Sequence, residues 1–301
     1  MTYTFATVAT AEGDRAALVV AGTHYRLDRL ITDLAAPTLR ALLDDWDWLL
    51  DKCDGLVAAP LDPRARVDDP LILSPVRFPN KLVCVGAVYS DHLEQMDLPP
   101  ERWPNMPMFL RPPTTSIVGP GRTVMIPANT KQFDWEIELA VVIGRTLTAV
   151  DEKTATEGIA GYSVGIDLTC RDLLDRGSAV GVDLIRAKAQ DKMAPIGPCL
   201  APARFVADPG NLGLRLWING EQRQNGTTAS MLFSVAEQLA TISRYITLEP
   251  GDIVFTGSPA GSARSDDQFL RPGDHIRAEI DQVGRLDLEL YAHDEAETTH
   301  D

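Results

Sequence analysis

The sequence predicts a mixed α+β fold that is mainly β, a sandwich or roll rather than a doubly wound sheet. Three observations predict it. Short apolar segments rich in β-branched residues recur at 81–88, 136–143, 162–168, 214–218, 253–256 and 275–280. Turn chemistry separates them: Asn219-Gly220 suits a two-residue hairpin, and Pro250-Gly251-Asp252 and Pro272-Gly273-Asp274 each place Pro then Gly where a type II turn needs them. Helical patterns are few beside the many strands, which fits a mixed β-sandwich or roll better than a doubly wound sheet.

The elements follow in chain order. Residues 1–75 read as a small N-terminal α/β extension. Within it, 16–20 is a strand, and 37–53 is a helix whose apolar face is Leu39, Leu42, Leu43, Trp46, Leu49 and Leu50. Pro60, Pro63, Pro70 and Pro75 make 58–75 an extended connector. Residues 76–292 form the main domain. There, 81–88 is a strand and 89–96 a loop, and the strands 136–143 and 162–168 flank a short helix at 151–158 with Asp151 as its N-cap. A hairpin covers 214–224. Ser234 and Glu237 form a capping box into a helix that continues through Val235, Leu239, Ile242 and Ile246. The polar, acidic stretch 293–301 reads as a disordered tail.

Composition narrows the function. The 301 residues are 45% hydrophobic and 24% charged, ordinary for a globular protein with a sizeable core. A net charge of −15 argues against nucleic acid and anionic membranes as partners. It also means that an anionic substrate must meet a local positive site. No basic segment followed by an apolar run opens the chain, so no signal peptide is expected. No apolar run reaches membrane-spanning length. Cys53, Cys84, Cys170 and Cys199 are widely spaced without a CxxC pair, which fits free thiols in a reducing cytoplasm.

Glu136 and Glu138 are two residues apart and run into the apolar stretch Leu139 to Ile143, so both point to one face of a strand. Burying two carboxylates together is expensive unless a cation neutralises them. Asp167 lies in another apolar strand and completes an all-oxygen set suited to Mg²⁺ or Mn²⁺. The plainer alternative is an exposed strand face with Asp167 capping a turn. No His or Cys accompanies the acids, which argues against zinc. Lys188 is a candidate anion clamp or proton carrier, and His92 the one histidine in a plausible site loop; each alone is more often a surface or structural residue. Gly161-Tyr162-Ser163-Val164-Gly165 matches a nucleophile-elbow pattern, but the following residues continue a strand, so a serine hydrolase is not expected.

From about Phe78 to Tyr291 the chain resembles the fumarylacetoacetate hydrolase family. The resemblance rests on ordered segments: 81–86 with Tyr89-Ser90-Asp91-His92, 111–119, 134–144, 161–172, Ala187-Lys188, Asn219-Gly220-Glu221 with Gln224, and 248–261. It implies a mixed β-sandwich roll, a Mg²⁺ or Mn²⁺ site held by Glu136, Glu138 and Asp167, a catalytic His92 on a mobile segment, an active-site Lys188, and a homodimer. Tyr89, Arg111, Gln224, Thr256 and Gly257 fall at substrate-binding positions. The implied activity is metal-dependent C–C hydrolysis of an acylpyruvate or related 1,3-diketo acid through an enolate, in aromatic catabolism. The alternatives are isomerisation or decarboxylation of a 2-oxo diacid, or a non-catalytic member. Two departures stand out. Many smaller members have a glutamate three residues after the histidine, where this chain has Gln95, with Glu94 one residue earlier as a substitute. The family often has lysine where Arg111 stands.

Overall fold

A computed structural model of the chain describes residues 2–175, 177, 181–263 and 268–292; the expected tail at 293–301 lies outside them. The strands form a twelve-stranded sheet, a five-stranded sheet and a two-stranded ribbon, so the mainly β, mixed α+β expectation holds.

The strand Ile137–Ile143 is the centre of the large sheet, and all of it is buried. It runs antiparallel to Ile159–Ile166 on one side and to Ile253–Phe255 on the other; Ile253–Phe255 in turn lies parallel to Leu82–Val85. Alternation sends its side chains into two cores. Ile137, Leu139, Val141 and Ile143 pack with Leu214, Leu216, Ile276 and Leu288 of the five-stranded sheet. Ala140 and Val142 pack with Phe5, Leu39, Trp46 and Leu49 of the N-terminal region. A strand covered on both faces has no polar side, hence the unbroken apolar run in the sequence.

The N-terminal strands Thr4–Thr10, Gly13–Val20, Thr23–Arg26 and Arg66–Val67 continue the large sheet, joined to it where Phe5 pairs with Leu200. The single helix expected over 37–53 is instead three pieces: Leu39–Leu42, a 3₁₀ turn Leu43–Asp45, and Trp46–Val57. Asp44 and Asp45 are poor helix-interior residues and favour a helix start, which places the break there. The connector 58–75 is not wholly extended, since it forms the turn Pro63–Ala65 and short strands at Arg66–Val67 and Ile72–Leu73.

The turn chemistry is realised. Asn219 and Gly220 both have positive φ, 51° and 85°, as a type I′ hairpin requires, and Gly251 and Gly273 take φ of 85° and 88°. Asp151 caps Glu152–Glu157 by accepting from the Thr154 N–H, and the Ser234–Glu237 capping box opens Val235–Ser243. The strand expected over 81–88 ends at Val85, and the expected loop contains a helix, Ser90–Gln95. The Ile159–Ile166 strand runs straight through a fully buried Ser163, so there is no nucleophile elbow. Gly161 has a packing reason instead: a Cβ there would lie 2.2 Å from the Ala201 carbonyl oxygen on the paired strand. All four cysteines are free. Among the described residues no helix is long and apolar enough to cross a membrane.

Trp46 anchors the N-terminal helix to the sheet. Its ring is buried, and its indole N–H donates to the Ala160 carbonyl at 3.1 Å. Trp46→Ala is expected to lose about 3–5 kcal/mol in urea unfolding, with fluorescence and circular dichroism moving in one transition. An early separate transition confined to the N-terminal region would show that it folds independently.

Candidate functional site

Strand register brings the acids together. Glu138 pairs with Gly165, and one step further the Asp167 N–H donates to the Glu136 carbonyl at 2.8 Å. Glu136 and Asp167 are therefore opposed across the ladder, where side chains share a face. Glu138 lies on that face too, opposite Gly165, where a Cβ would meet the Phe255 ring at 2.6 Å. Ligand oxygens of Glu136, Glu138 and Asp167 all lie within 4.8 Å of one another, and all three residues are buried.

Cations answer two of these acids. Lys188, at the end of the helix Leu184–Lys188, donates to Glu136 Oε2 at 2.7 Å and to Asp167 Oδ2 at 2.5 Å. Arg171 donates to Glu136 Oε1 at 2.5 Å and to Asp134 Oδ2 at 2.6 Å. Arg111 donates to Asp167 and to the Leu168 and Met193 carbonyls. Glu138 has no such partner among the described residues; it accepts one hydrogen bond, from the Gly257 N–H at 2.7 Å.

The proton affinities follow this division. Burial pushes the Glu136 carboxyl up, but Arg171, Lys188 and His92 outweigh it and hold it well below the usual carboxylate range. Burial, with Glu136 beside it, pushes Glu138 up to about 8. Burial lowers the proton affinity of the Lys188 ammonium against the pull of Glu136. Four buried carboxylates, Asp134 included, face three cations. That leaves one carboxyl, Glu138, without a cation among the described residues, and its raised proton affinity reflects the missing charge. An oxygen-only cluster with one uncompensated carboxylate fits a hard divalent cation.

His92 approaches from the helix Ser90–Gln95. Its Nε2 lies 3.7 Å from Glu136 Oε1, and its Nδ1 lies 3.2 Å from Gln95 Oε1. Here the expectation of Glu94 is corrected. Residues three apart on a helix share a face and residues two apart do not, so Gln95 meets the ring and Glu94 is exposed. Arg111, expected to bind substrate, has a fully buried guanidinium already engaged by Asp167 and two carbonyls.

Gln224 and Thr256, also expected at the substrate, brace the acid-bearing strand. Gln224 Oε1 accepts from the Ile137 N–H at 2.9 Å, between the two glutamates, while its amide donates to Ser258 and Pro259. The Thr256 hydroxyl donates to the Leu139 carbonyl at 2.9 Å. Gly257 has φ of 85°, and a Cβ there would meet Val88 at 2.6 Å, so a glycine is needed where the backbone N–H reaches Glu138. Tyr89 is fully buried, and its hydroxyl has no hydrogen-bond partner among the described residues.

Sequence reasoning missed the roles of Asp134 and Arg171. The signal was present: Asp134 extends the Glu136, Glu138 alternation by one more step, and Arg171 follows Asp167 in the strand-to-turn segment. Arg171 also lines a cavity of about 520 Å³, together with Leu174, Val182 and Phe269.

Comparison with known proteins adds the family. The profile described as the C-terminal domain of fumarylacetoacetate (FAA) hydrolase matches residues 81–290. The human mitochondrial oxaloacetate tautomerase FAHD2A is 37% identical over 227 residues, covering 75% of this chain and 70% of that protein. A maleylpyruvate hydrolase from Sphingobium sp. SYK-6, solved with manganese(II) and pyruvate, superposes with a TM-score of 0.76 at 27% identity, covering 95% of this chain and 99% of that one. A fumarylpyruvate hydrolase from Pseudomonas aeruginosa, solved with Mn²⁺ and pyruvate, gives 0.65 at 34% identity, covering 75% and 93%. With the profile spanning most of its length and the acidic cluster inside the matched region, the chain belongs to the fumarylacetoacetate hydrolase family.

Proposed function

We propose that this protein is a divalent-metal enzyme that moves a proton on a small 2-oxo acid through its enolate, as a tautomerase or isomerase. The observation behind the metal is Glu138, a buried carboxylate facing Glu136 and Asp167 with no counter-cation of its own among the described residues. Glu136, Glu138 and Asp167 would hold Mg²⁺ or Mn²⁺, which would supply Lewis-acid polarisation of a carbonyl and stabilisation of enolate charge. The manganese-and-pyruvate complexes of the two hydrolases support that reading.

The chain's own residues supply the rest. His92 Nε2 accepts a proton from the carbon beside the carbonyl and returns it to the carbonyl oxygen, converting keto to enol form. Lys188 and Arg171 hold Glu136 ionised, and Lys188 with Arg111 pairs with Asp167. The Tyr89 hydroxyl is a donor left for a substrate oxygen. Burial of His92 and the acids excludes bulk water from the proton's path.

The C–C hydrolase implied by the sequence resemblance becomes the second reading, supported by the activities named for the two solved hydrolases. It ranks second because water activation leaves a proton on His92 that a carboxylate partner would stabilise, and the ring's partner is an amide. The human tautomerase favours the first reading.

Saturating Mn²⁺ is expected to raise the thermal midpoint of the wild-type protein, the stabilisation reaching about 2.7 kcal/mol at a hundred times Kd. Glu138→Gln is expected to abolish that shift and the activity together. Unchanged turnover and unchanged metal dependence in this variant would overturn the metal reading. Incubated with oxaloacetate and with acylpyruvates, the enzyme is expected to speed keto–enol exchange without releasing pyruvate from the acylpyruvates. Pyruvate release would establish the hydrolase instead. His92→Asn is expected to slow the reaction by roughly 10²- to 10⁴-fold, the range of general acid–base contributions, in a stopped-flow assay of enol absorbance.

A further inference from the structure

The Gln95 amide is oriented from two sides at once. Its Oε1 accepts from the Gly261 N–H at 3.1 Å, and its Nε2 donates to the Ser262 carbonyl at 3.1 Å. Turning the amide over would set N–H against N–H and oxygen against oxygen, so the backbone dictates which end is oxygen. That oxygen is the atom 3.2 Å from His92 Nδ1. Oxygen only accepts here, so the hydrogen between them belongs to Nδ1. In the neutral ring the lone pair is then on Nε2, which lies 3.7 Å from Glu136 Oε1, too far for a hydrogen bond to the carboxylate.

The turn that orients the amide is tied to the acid-bearing strand. The Trp135 indole N–H donates to the Gly261 carbonyl at 3.2 Å, and the Ala263 N–H donates to Asp134 Oδ1 at 2.8 Å. Gly261 has φ of 104°, and a Cβ there would lie 2.2 Å from the Arg223 carbonyl oxygen. The turn therefore tolerates neither a side chain nor an easy shift. Asp134 and Trp135 immediately precede Glu136, so the segment that presents the acids also sets the amide.

We propose that Gln95 is a positioning residue: oriented by the Gly261–Ser262 backbone, it holds His92 with hydrogen on Nδ1 and presents Nε2 as a proton acceptor beside Glu136. A carboxylate at this position would turn its second oxygen toward the Ser262 carbonyl. The turn is thus complementary to an amide, and Gln95 is matched to its surroundings.

The test uses full-length protein labelled with ¹⁵N-histidine. Long-range ¹H–¹⁵N spectra are recorded in alkaline buffer, where imidazole is neutral, and His92→Asn assigns the signals. The expected result is His92 with Nδ1 protonated and Nε2 bare. Gln95→Met fills similar space without an acceptor, and is expected to lose that signature and to lower kcat roughly 10- to 100-fold, as outer partners that orient a histidine do, with KM within about twofold. Gln95→Glu keeps an acceptor and is expected to retain the signature. A wild-type ring protonated on Nε2 overturns the proposal, as does Gln95→Met with spectrum and kcat both unchanged. The kinetic arm rests on the oxo-acid reading above. The spectral arm does not, so failure of one is distinguishable from failure of the other, and the wild-type spectrum decides even if Gln95→Met does not fold.

Discussion

Carboxylates confined within 4.8 Å of one another in a buried position govern the architecture around them. Each desolvated charge costs several kcal/mol unless paired, so the surroundings must supply compensation. Lys188 reaches two of the acids from a short helix, Arg171 reaches Glu136 from the turn after the neighbouring strand, and Arg111 reaches Asp167 from the end of another. Three separate elements therefore converge on the acids. The same need gives a structural role to two residues expected at the substrate. Gln224 fixes the backbone between Glu136 and Glu138, and Gly257 gives Glu138 its one described hydrogen bond.

The fold serves this arrangement by covering the central strand on both sides. The five-stranded sheet packs on one face, and the N-terminal strands and helices pack on the other. Glu136 and Glu138 have the same parity as Ala140 and Val142, which face the N-terminal layer. The first part of the chain thus seals the apolar end of the strand face whose other end holds the acids. Its strands add to the same sheet, so it shares in that sheet's rigidity.

Much of this was legible in the residues, and the exceptions share a cause. Glu136, Glu138 and Asp167 could be read because charge in an apolar strand is anomalous on its own. The hairpin at Asn219-Gly220 and the capping box at Ser234 could be read because their chemistry is local. The break at Asp44-Asp45 was misread because leucine periodicity continues across it, and the competing preference of aspartate is weaker than that pattern. For Arg111 the sequence reports a guanidinium and not its direction; only the fold reveals that it lies buried against Asp167. Glu94 and Gln95 could be separated only once 90–95 was seen to be helical, since a loop gives no rule for which neighbour meets the ring.

That last point bears on the chemistry. A carboxylate beside an imidazole stabilises the protonated ring and suits a base that must keep a proton while water attacks. An amide sets the tautomer without adding charge and suits a base that releases its proton again within the same substrate. Glu136 Oε1 lies 3.7 Å from His92 Nε2, and Arg171 and Lys188 already neutralise much of its charge. The ring therefore stands in a site where the cations are spent on the acids and its direct partner is neutral. Such a site favours the return of a proton over its retention. On the proposed reading, this links Gln95 to moving hydrogen rather than breaking a carbon–carbon bond.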